Sequence, residues 1–234
     1  MNKILYTTGD SFVKFRNSNS SWPSILSQKL DSVDYNNGLA GSSNDRSYRC
    51  VIRDICKVET QNKLDNISCK VEDLFVIVGW TSPYRFEWFN DNDFRQTKND
   101  NKIYFKRTGN PTYDYTTDPK VYVPMTEDVF SLIKFFNQII TLGDFLKSKK
   151  VNYLFYNCHF PFGKNTEDFF QSMIKKYKNF ELDVLWEKVP NTYKMYKQLD
   201  IITLENLDET FHPTEFGNKV WAEYLEKQIR SLYE

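Results

Sequence analysis

A serine and a histidine at opposite ends of this chain are the residue types that carry out acyl transfer. A Gly-Asp-Ser triplet ends at Ser11, and His212 precedes Pro213 near the other end of the sequence. A serine hydroxyl becomes a nucleophile when a histidine takes its proton, and a carboxylate then orients the imidazole and stabilises its charged form. Two carboxylates, Asp208 and Glu209, come shortly before His212. Together these side chains predict a site that forms an acyl-serine.

Backbone N–H groups suited to an oxyanion are predicted beside the serine. At a strand-to-helix turn, the N–H of Ser11 points toward the helix N-terminus, where anions are favoured. Gly41, in the loop 36–41, offers a second N–H that a substrate can approach because no Cβ stands in the way. We therefore expect the N–H groups of Ser11 and Gly41 to face the same developing charge.

Alternating strands and helices must bring these distant residues together. The strand-like segments are 3–8, 33–36, 73–80 and 151–157. The helical segments, recognised by their apolar spacing, are 22–30, 43–58, 126–149, 166–178 and 213–232. The consecutive apolar residues of 73–80 and 151–157 are typical of strands buried on both faces of a parallel sheet. This alternation indicates right-handed β–α–β units, with ligands bound at the carboxyl edge of the sheet.

Residues 82–125 interrupt the alternation of strands and helices. This segment follows the third predicted strand, is polar and rich in aromatic residues, and contains Gly109 and several prolines. A loop of this length within a compact domain is usually functional or contains a small hairpin. We therefore expect a single domain over 1–234, with 82–125 as a lid-like insertion.

Composition narrows the classes of partner. Lys+Arg and Asp+Glu both number 31, so the chain lacks the basic excess that nucleic-acid binding usually needs. No apolar run reaches the roughly eighteen residues of a membrane-spanning helix, and no membrane partner is expected. The N-terminus lacks an apolar signal region, which favours the cytoplasm, although a phage protein released by lysis would lack one too. The cysteines show no metal-ligand spacing with the two histidines, and we expect no metal and no organic cofactor.

The motifs resemble, in their types and order, those of the SGNH hydrolases, also called GDSL-type esterases. The triplet ending at Ser11 is similar to the first block of that family, 36–41 to its Asn-x-Gly-x-x-Gly block, and 209–213 to its Asp-x-x-His-Pro block. The resemblance implies a flavodoxin-like three-layer α/β/α sandwich with a mostly parallel five-stranded sheet. It also implies that Ser11 is the nucleophile and that Gly41 donates to the oxyanion. The stretches GSSND and GWTSPYRFEW look most like small members from tailed bacteriophages and some bacteria.

Two positions depart from the pattern of that family. The family has Gly-x-Asn-Asp after the third strand, and its Asn side chain completes the oxyanion hole, whereas this chain has Gly-Trp-Thr-Ser at 79–82. The hydroxyl of Thr81 or the amide of Asn44 could replace that donor, and losing one donor typically costs about a hundredfold to a thousandfold in rate. Glu209 stands where the family has Asp. Spacing favours Glu209 as the residue that orients His212, with Asp208 as the alternative.

Four further residues are candidates for substrate binding. Trp80, Arg85 and Glu87 form a dense cluster after the third predicted strand. They could be a buried ion pair shielded by tryptophan, or a wall on which a sugar ring stacks while Arg85 holds a carboxylate. His159 follows the fourth predicted strand, where it could line the same cleft or serve only a tight turn.

The function expected from these residues is hydrolysis of a carboxylic ester through an acyl-enzyme. A small-molecule or glycan ester is the expected substrate, with O-acetyl on a carbohydrate as the leading choice. An alcohol in place of water would make the same site an O-acyltransferase. The alternative from another class is a catalytically degenerate domain of the same fold, either a binding protein or a virion-associated one. The oligomeric state and the natural ester stay open.

Overall fold

The computed structural model of this chain is built around a parallel β-sheet. The structure describes residues 3–13, 20–40, 42–81, 83, 86–88, 106–108, 128–157, 175, 184–185, 188, 196–209 and 212–233. Its strands are β1 (Lys3–Thr8), β2 (Ser32–Asn36), β3 (Lys63–Leu64), β4 (Ile67–Ser68), β5 (Leu74–Trp80), β6 (Phe86–Trp88), β7 (Lys106–Thr108), β8 (Asn152–Asn157) and β9 (Tyr196–Lys197). The central sheet runs β2-β1-β5-β8-β9, with four strands of five residues or more and the two-residue β9 at one edge.

Helices connect the strands of the sheet in the described part of the chain. They are α1 (Trp22–Lys29), α2 (Asn44–Gln61), α3 (Asp128–Ser148), α4 (Gln198–Ile201) and α5 (Glu215–Tyr233), with short 3-10 turns at Val71–Asp73 and Leu204–Asn206. Local sequence explains their starts. Pro23 occupies the first turn of α1, where its missing N–H costs nothing, and the Ser43 hydroxyl caps α2 by accepting from the N–H of Arg46. None of the helices in the described ranges is long and apolar enough to cross a membrane.

Two helical layers cover the two faces of the sheet. One apolar core joins α2 and α3 to one face, where Ile4 and Tyr6 of β1 point. The other joins α1 and α5 to the opposite face, where Leu5 points. The side chains alternate between the two cores because successive residues of a strand face opposite sides of the sheet. The three-layer α/β/α architecture with a parallel sheet is therefore confirmed.

The order of the strands determines where a ligand can bind. β1 lies between β2 and β5, and it pairs in parallel with both. The connection after β1 leads to β2, and the connections after β2 lead to β5 on the other side of β1. The chain therefore changes direction across the sheet at β1. In sheets of this topology, ligands bind in the crevice outside the carboxyl ends of the strands at this point. A ligand site is therefore expected among the residues that follow β1, β2 and β5.

Two hairpins lie outside the central sheet. β6 pairs with β7 in antiparallel fashion, which confirms that 82–125 contains a small hairpin. A second hairpin, β3–β4, follows α2 and was not predicted. It forms because Asn62 and Asp65 adopt positive φ angles of 51° and 49°, a conformation that Asn and Asp tolerate better than most residues. Of the predicted helix 166–178, only Lys175 lies within the described residues, and it is helical.

Candidate active site

The turn after β1 places Ser11 at the carboxyl edge of the sheet. Gly9 has a φ of 154°, and a Cβ there would collide with Val13 Cγ2 and lie 2.9 Å from the Gly79 carbonyl oxygen. Glycine is therefore required where the chain leaves β1. The turn closes when the N–H of Val13 donates to the carbonyl of Asp10 at 3.1 Å. Ser11 is left half-exposed at the tip of this turn.

The Asp10 carboxylate ties this turn to the end of β5. Its Oδ1 accepts from the N–H of Phe12 at 3.0 Å, and its Oδ2 accepts from the hydroxyl of Thr81 at 2.9 Å. Asp10 is fully buried, so both oxygens need these donors. We predicted no role for Asp10. Only the bond to Phe12 has a signal in the sequence, because an Asp side chain commonly accepts from the backbone N–H two residues later. The bond to Thr81 has no such signal.

His212 reaches the serine from the far end of the chain. Its Nε2 lies 2.8 Å from Ser11 Oγ, across a sequence separation of 201 residues. The Phe12 ring stacks on the imidazole, with ring centroids 5.2 Å apart and planes inclined by 30°. With the ring proton on Nδ1, Nε2 accepts the serine hydroxyl proton, which is the geometry that general-base activation needs. The predicted pairing of Ser11 with His212 is thus present in the structure.

The loop that carries His212 is held at both of its ends. Leu207 and Pro213 form an isolated antiparallel bridge, which closes the loop at its base. Asn218 of α5 donates its side-chain N–H groups to the Pro213 and Thr214 carbonyls, at 3.2 and 3.0 Å. Its side-chain oxygen accepts from the N–H of Trp22, the first residue of α1. Asn218 therefore fixes the histidine loop relative to the helix that follows the serine turn.

The two candidate carboxylates differ in their contacts with His212. The N–H of His212 donates to Asp208 Oδ1 at 3.0 Å, and the N–H of Asp208 donates to the carbonyl of His212 at 2.8 Å. Glu209 is exposed and makes no hydrogen bond or ion pair with any described residue. Of the two, Asp208 is the one whose described bonds reach the backbone of His212, and which carboxylate orients the imidazole stays a prediction.

The loop after β2 packs directly on the serine turn. The side-chain amide of Asn36 donates to the carbonyl of Val13 at 3.0 Å, and the N–H of Leu39 donates to the carbonyl of Gly9 at 3.0 Å. The N–H of Gly38 donates back to Asn36 Oδ1 and tightens the loop. Gly41, the predicted second oxyanion donor of this loop, lies outside the described residues.

Thr81 and Asn44, the candidate third oxyanion donors, are bonded to each other. The Asn44 side chain accepts from the N–H of Thr81 at 2.8 Å and donates to the carbonyl of Thr81 at 3.0 Å. The hydroxyl proton of Thr81 goes to Asp10. Both side chains are buried, at 2% and 1% exposure. They tie the start of α2 to the end of β5, beside the serine turn.

Comparison with known proteins places the chain in a family. A family model described as a family of unknown function, DUF6071, matches residues 6–184, which is most of the chain. The chain belongs to DUF6071. The matched range contains Ser11, Asn44 and Thr81 and ends before His212. None of the curated proteins matches the chain significantly.

The fold of this DUF6071 protein is similar to that of several esterases of known structure. It aligns with the psychrotrophic esterase EstA from Pseudoalteromonas sp. at a TM-score of 0.53 and 11% identity, over 99% of this chain and 98% of that one. An acetylxylan esterase from Geobacillus stearothermophilus aligns at 0.50 and 12%, over 98% and 95%. An acetyl xylan esterase from Butyrivibrio proteoclasticus aligns at 0.51 and 13%, over 98% and 64%. These similarities confirm an SGNH-hydrolase type of fold, and at such identities they show the fold alone.

Trp80 of the DUF6071 protein does not line a binding surface in the described structure. It is fully buried, and its ring meets those of Phe135 and Phe155 edge-on at centroid distances of 5.9 and 5.4 Å. A ring enclosed on all sides cannot stack on a sugar, so the prediction of a substrate-facing Trp80 is wrong and its role as a core residue replaces it. For Glu87 only the backbone is described, in β6, and Arg85 and His159 lie outside the described residues.

The site holds no recognisable set of metal ligands. Within the part of the chain that the structure describes, no three His, Cys, Asp or Glu side chains are grouped in a way that could hold a metal ion. The contact between Ser11 Oγ and His212 Nε2 has a geometry that permits proton transfer.

Proposed function

We propose that this DUF6071 protein is a serine ester hydrolase of SGNH type that works through an acyl-enzyme. The observation that carries the proposal is the distance of 2.8 Å between Ser11 Oγ and His212 Nε2 at the carboxyl edge of the sheet. The turn that exposes Ser11 and the loop that holds His212 are both fixed by buried hydrogen bonds. Such preorganisation of nucleophile and base is what acyl transfer requires.

The reaction has two halves with one covalent intermediate. Ser11 Oγ attacks the ester carbonyl carbon while its proton passes to His212 Nε2, and the oxyanion is stabilised by the N–H groups of Ser11 and Gly41. The carbon–oxygen bond of the ester then breaks, and His212 returns the proton to the leaving alcohol. In the second half, His212 deprotonates a water that attacks the acyl-serine, and the acid leaves. Asp208 or Glu209 orients the imidazole.

A small acyl ester, such as O-acetyl on a carbohydrate, is the substrate that we propose. The support is that two of the similar structures are acetyl xylan esterases. An alcohol that attacks the acyl-serine in place of water would produce a transferase from the same intermediate. The same two-step chemistry therefore covers both reactions, and the acceptor distinguishes them.

One observation favours a second candidate, a glycan-binding domain without catalysis. The hydroxyl proton of Thr81 and one N–H of the Asn44 amide are given to other buried groups, so these two donors are not directed at an oxyanion. A hole with one donor fewer lowers the rate by about a hundredfold to a thousandfold. Binding would survive that loss, because the cleft is unchanged.

A product analysis tests the proposed function. Purified protein is incubated with acetylated xylo-oligosaccharides, with and without an alcohol acceptor, and both acetate and acetylated acceptor are quantified. We expect acetate release that Ser11→Ala abolishes and that the matched Ser24→Ala, on α1, leaves unchanged. Acetylated acceptor in place of acetate would identify a transferase. If no product forms and calorimetry shows that both variants bind the oligosaccharide, the hydrolase proposal is contradicted and the binding domain is supported.

A further inference from the structure

A network of buried and partly buried side chains holds the start of the loop after β2. The guanidinium of Arg46 donates from Nη1 to the carbonyl of Asn37 at 2.8 Å and from Nη2 to Asn37 Oδ1 at 3.0 Å. The Asn37 amide nitrogen donates to Asp54 Oδ2 at 3.1 Å and to the Tyr6 hydroxyl at 2.9 Å. Its backbone N–H donates to the carbonyl of Thr7. Every polar group of Asn37 is thus bonded.

The inner end of this network is anchored in the core. The hydroxyl of Tyr6 donates to Asp54 Oδ2 at 2.9 Å, and Arg53 pairs with Asp54 Oδ1 at 2.6 Å. Asp54 is only 3% exposed and Tyr6 is 1% exposed. Burial, with a further contribution from the Asp54 carboxylate, raises the pKa of the Tyr6 phenol, so its hydroxyl remains a donor at neutral pH. The position of Asn37 is therefore set by the rigid core of β1 and α2.

Arg46 lies at an unfavourable place for a cation. It belongs to the first turn of α2, where the helix dipole disfavours positive charge. Its guanidinium is directed back over the loop, onto two oxygens of one residue, in the forked arrangement that only arginine provides. These two charge-assisted bonds stabilise the guanidinium at a position that the helix dipole disfavours.

The loop has two anchors, and Gly41 lies between them. Asn37 marks the start of the loop, and Asn44, bonded to Thr81, marks its end. Under the proposed function, Gly41 supplies a backbone N–H to the oxyanion, and an error of about 1 Å in such a donor can cost about a hundredfold in rate. The described contacts at Asn37 and Asn44 fix the two ends of the segment that contains Gly41.

We propose that Arg46, acting through Asn37, is a positioning residue for the oxyanion loop. This inference rests on the proposed function, since it needs a reaction in which an oxyanion forms. Arg46 touches neither Ser11 nor His212 among the contacts described, so the proton transfer between them does not depend on it. Loss of Arg46 therefore affects the stabilisation of the transition state and leaves substrate binding largely unchanged.

The matched variants Arg46→Met and Arg230→Met test the assignment. Both remove a guanidinium from a helix and keep the apolar stem, but the described bonds of Arg230 go to Glu226 and to the Lys29 carbonyl, whereas Arg46 bonds to the loop. We expect Arg46→Met to lower kcat for ester hydrolysis by about tenfold to a hundredfold, less than loss of a whole donor, with KM within about twofold. The rate of Ser11 labelling by a fluorophosphonate, which forms a similar oxyanion, should fall in parallel. Arg230→Met should leave both rates within about twofold of the native protein.

A double-mutant cycle and a conservative variant separate positioning from folding. If Arg46 acts through Asn37, Arg46→Met should add little to the loss caused by Asn37→Ala. Arg46→Lys keeps one donor and should recover part of kcat, and thermal unfolding shows whether each variant is folded. An Arg46→Met loss confined to KM, equal to that of Arg230→Met, or absent in a protein that labels normally at Ser11 would overturn the positioning role alone. A native protein that neither hydrolyses esters nor labels would overturn the proposed function together with this inference.

Discussion

At the residue scale, the contact between Ser11 and His212 depends on neighbouring side chains that hold the two residues in place. Ser11 and His212 meet at 2.8 Å because the Phe12 ring stacks on the imidazole and Asp10 closes the serine turn. The Asp10 carboxylate also reaches Thr81 at the end of the neighbouring strand. A buried carboxylate suits this connection, because breaking either hydrogen bond would leave a buried polar group unpaired at an energetic cost.

Asp10→Asn should separate the turn from β5 while conserving the volume of the side chain. An amide can keep only one of the two acceptor atoms, so either Phe12 or Thr81 loses its partner. We expect the free energy of unfolding in urea to fall by about 1–3 kcal/mol. We also expect the rate of Ser11 labelling to fall by about tenfold to a hundredfold through misplacement of the serine.

The matched control for this change is Asp65→Asn. Asp65 also accepts two side-chain donors, Tyr35 and Lys57, but it lies between β3 and β4, outside the central sheet. It should lower stability and leave the labelling rate of the folded protein unchanged. Equal labelling rates in Asp10→Asn and the native protein would show that the Asp10 contact is only structural.

At the element scale, three segments meet beside the catalytic pair. The turn after β1, the loop after β2 and the loop before α5 are tied to one another by side-chain amides: Asn36 bonds to Val13, and Asn218 bonds to Trp22 and Pro213. Amides suit these positions because each offers both an acceptor and donors to exposed backbone groups at the ends of strands and helices. These bonds fix the positions of the three segments relative to one another.

Asn218→Ala should loosen the histidine loop while α5 stays helical. Asn218 is 1% exposed, and its loss leaves the N–H of Trp22 and the carbonyl of Pro213 without that partner. We expect a fall of about 1–3 kcal/mol in stability, and slower labelling of Ser11 because His212 loses its fixed position. Lys219→Ala, at the next and exposed position, is the control and should change neither. Normal labelling in folded Asn218→Ala would contradict this role.

The sequence predicted the main elements because their signals are local. Apolar runs marked β5 and β8, and apolar spacing marked α2 and α5 to within a few residues of their observed bounds. The contacts of Asp10 with Thr81 and of Arg46 with Asn37 were missed, because they depend on which strand ends become neighbours in space. Trp80 was misassigned as a candidate substrate residue for the same reason, since only the packed helices show that its ring is enclosed.

At the scale of the whole molecule, strand order explains why residues 201 apart lie within hydrogen-bond distance. β1 lies between β2 and β5, so the serine turn, the predicted oxyanion loop and Thr81 share one edge of the sheet. Helix α5 packs against α1 on one face and brings the preceding His212 to that edge. The phage origin suggested by the motifs remains a prediction, because no finding on fold or family concerns it.

Covalent labelling with a fluorophosphonate tests most directly whether Ser11 is activated by His212. The native protein, Ser11→Ala and His212→Ala are labelled at neutral pH, and the products are read by intact mass and peptide mapping. We predict one adduct per chain, on Ser11, absent from Ser11→Ala and lost or strongly slowed in His212→Ala. No adduct on the folded native protein, or an adduct that His212→Ala leaves unchanged, would contradict the activation of Ser11 by His212.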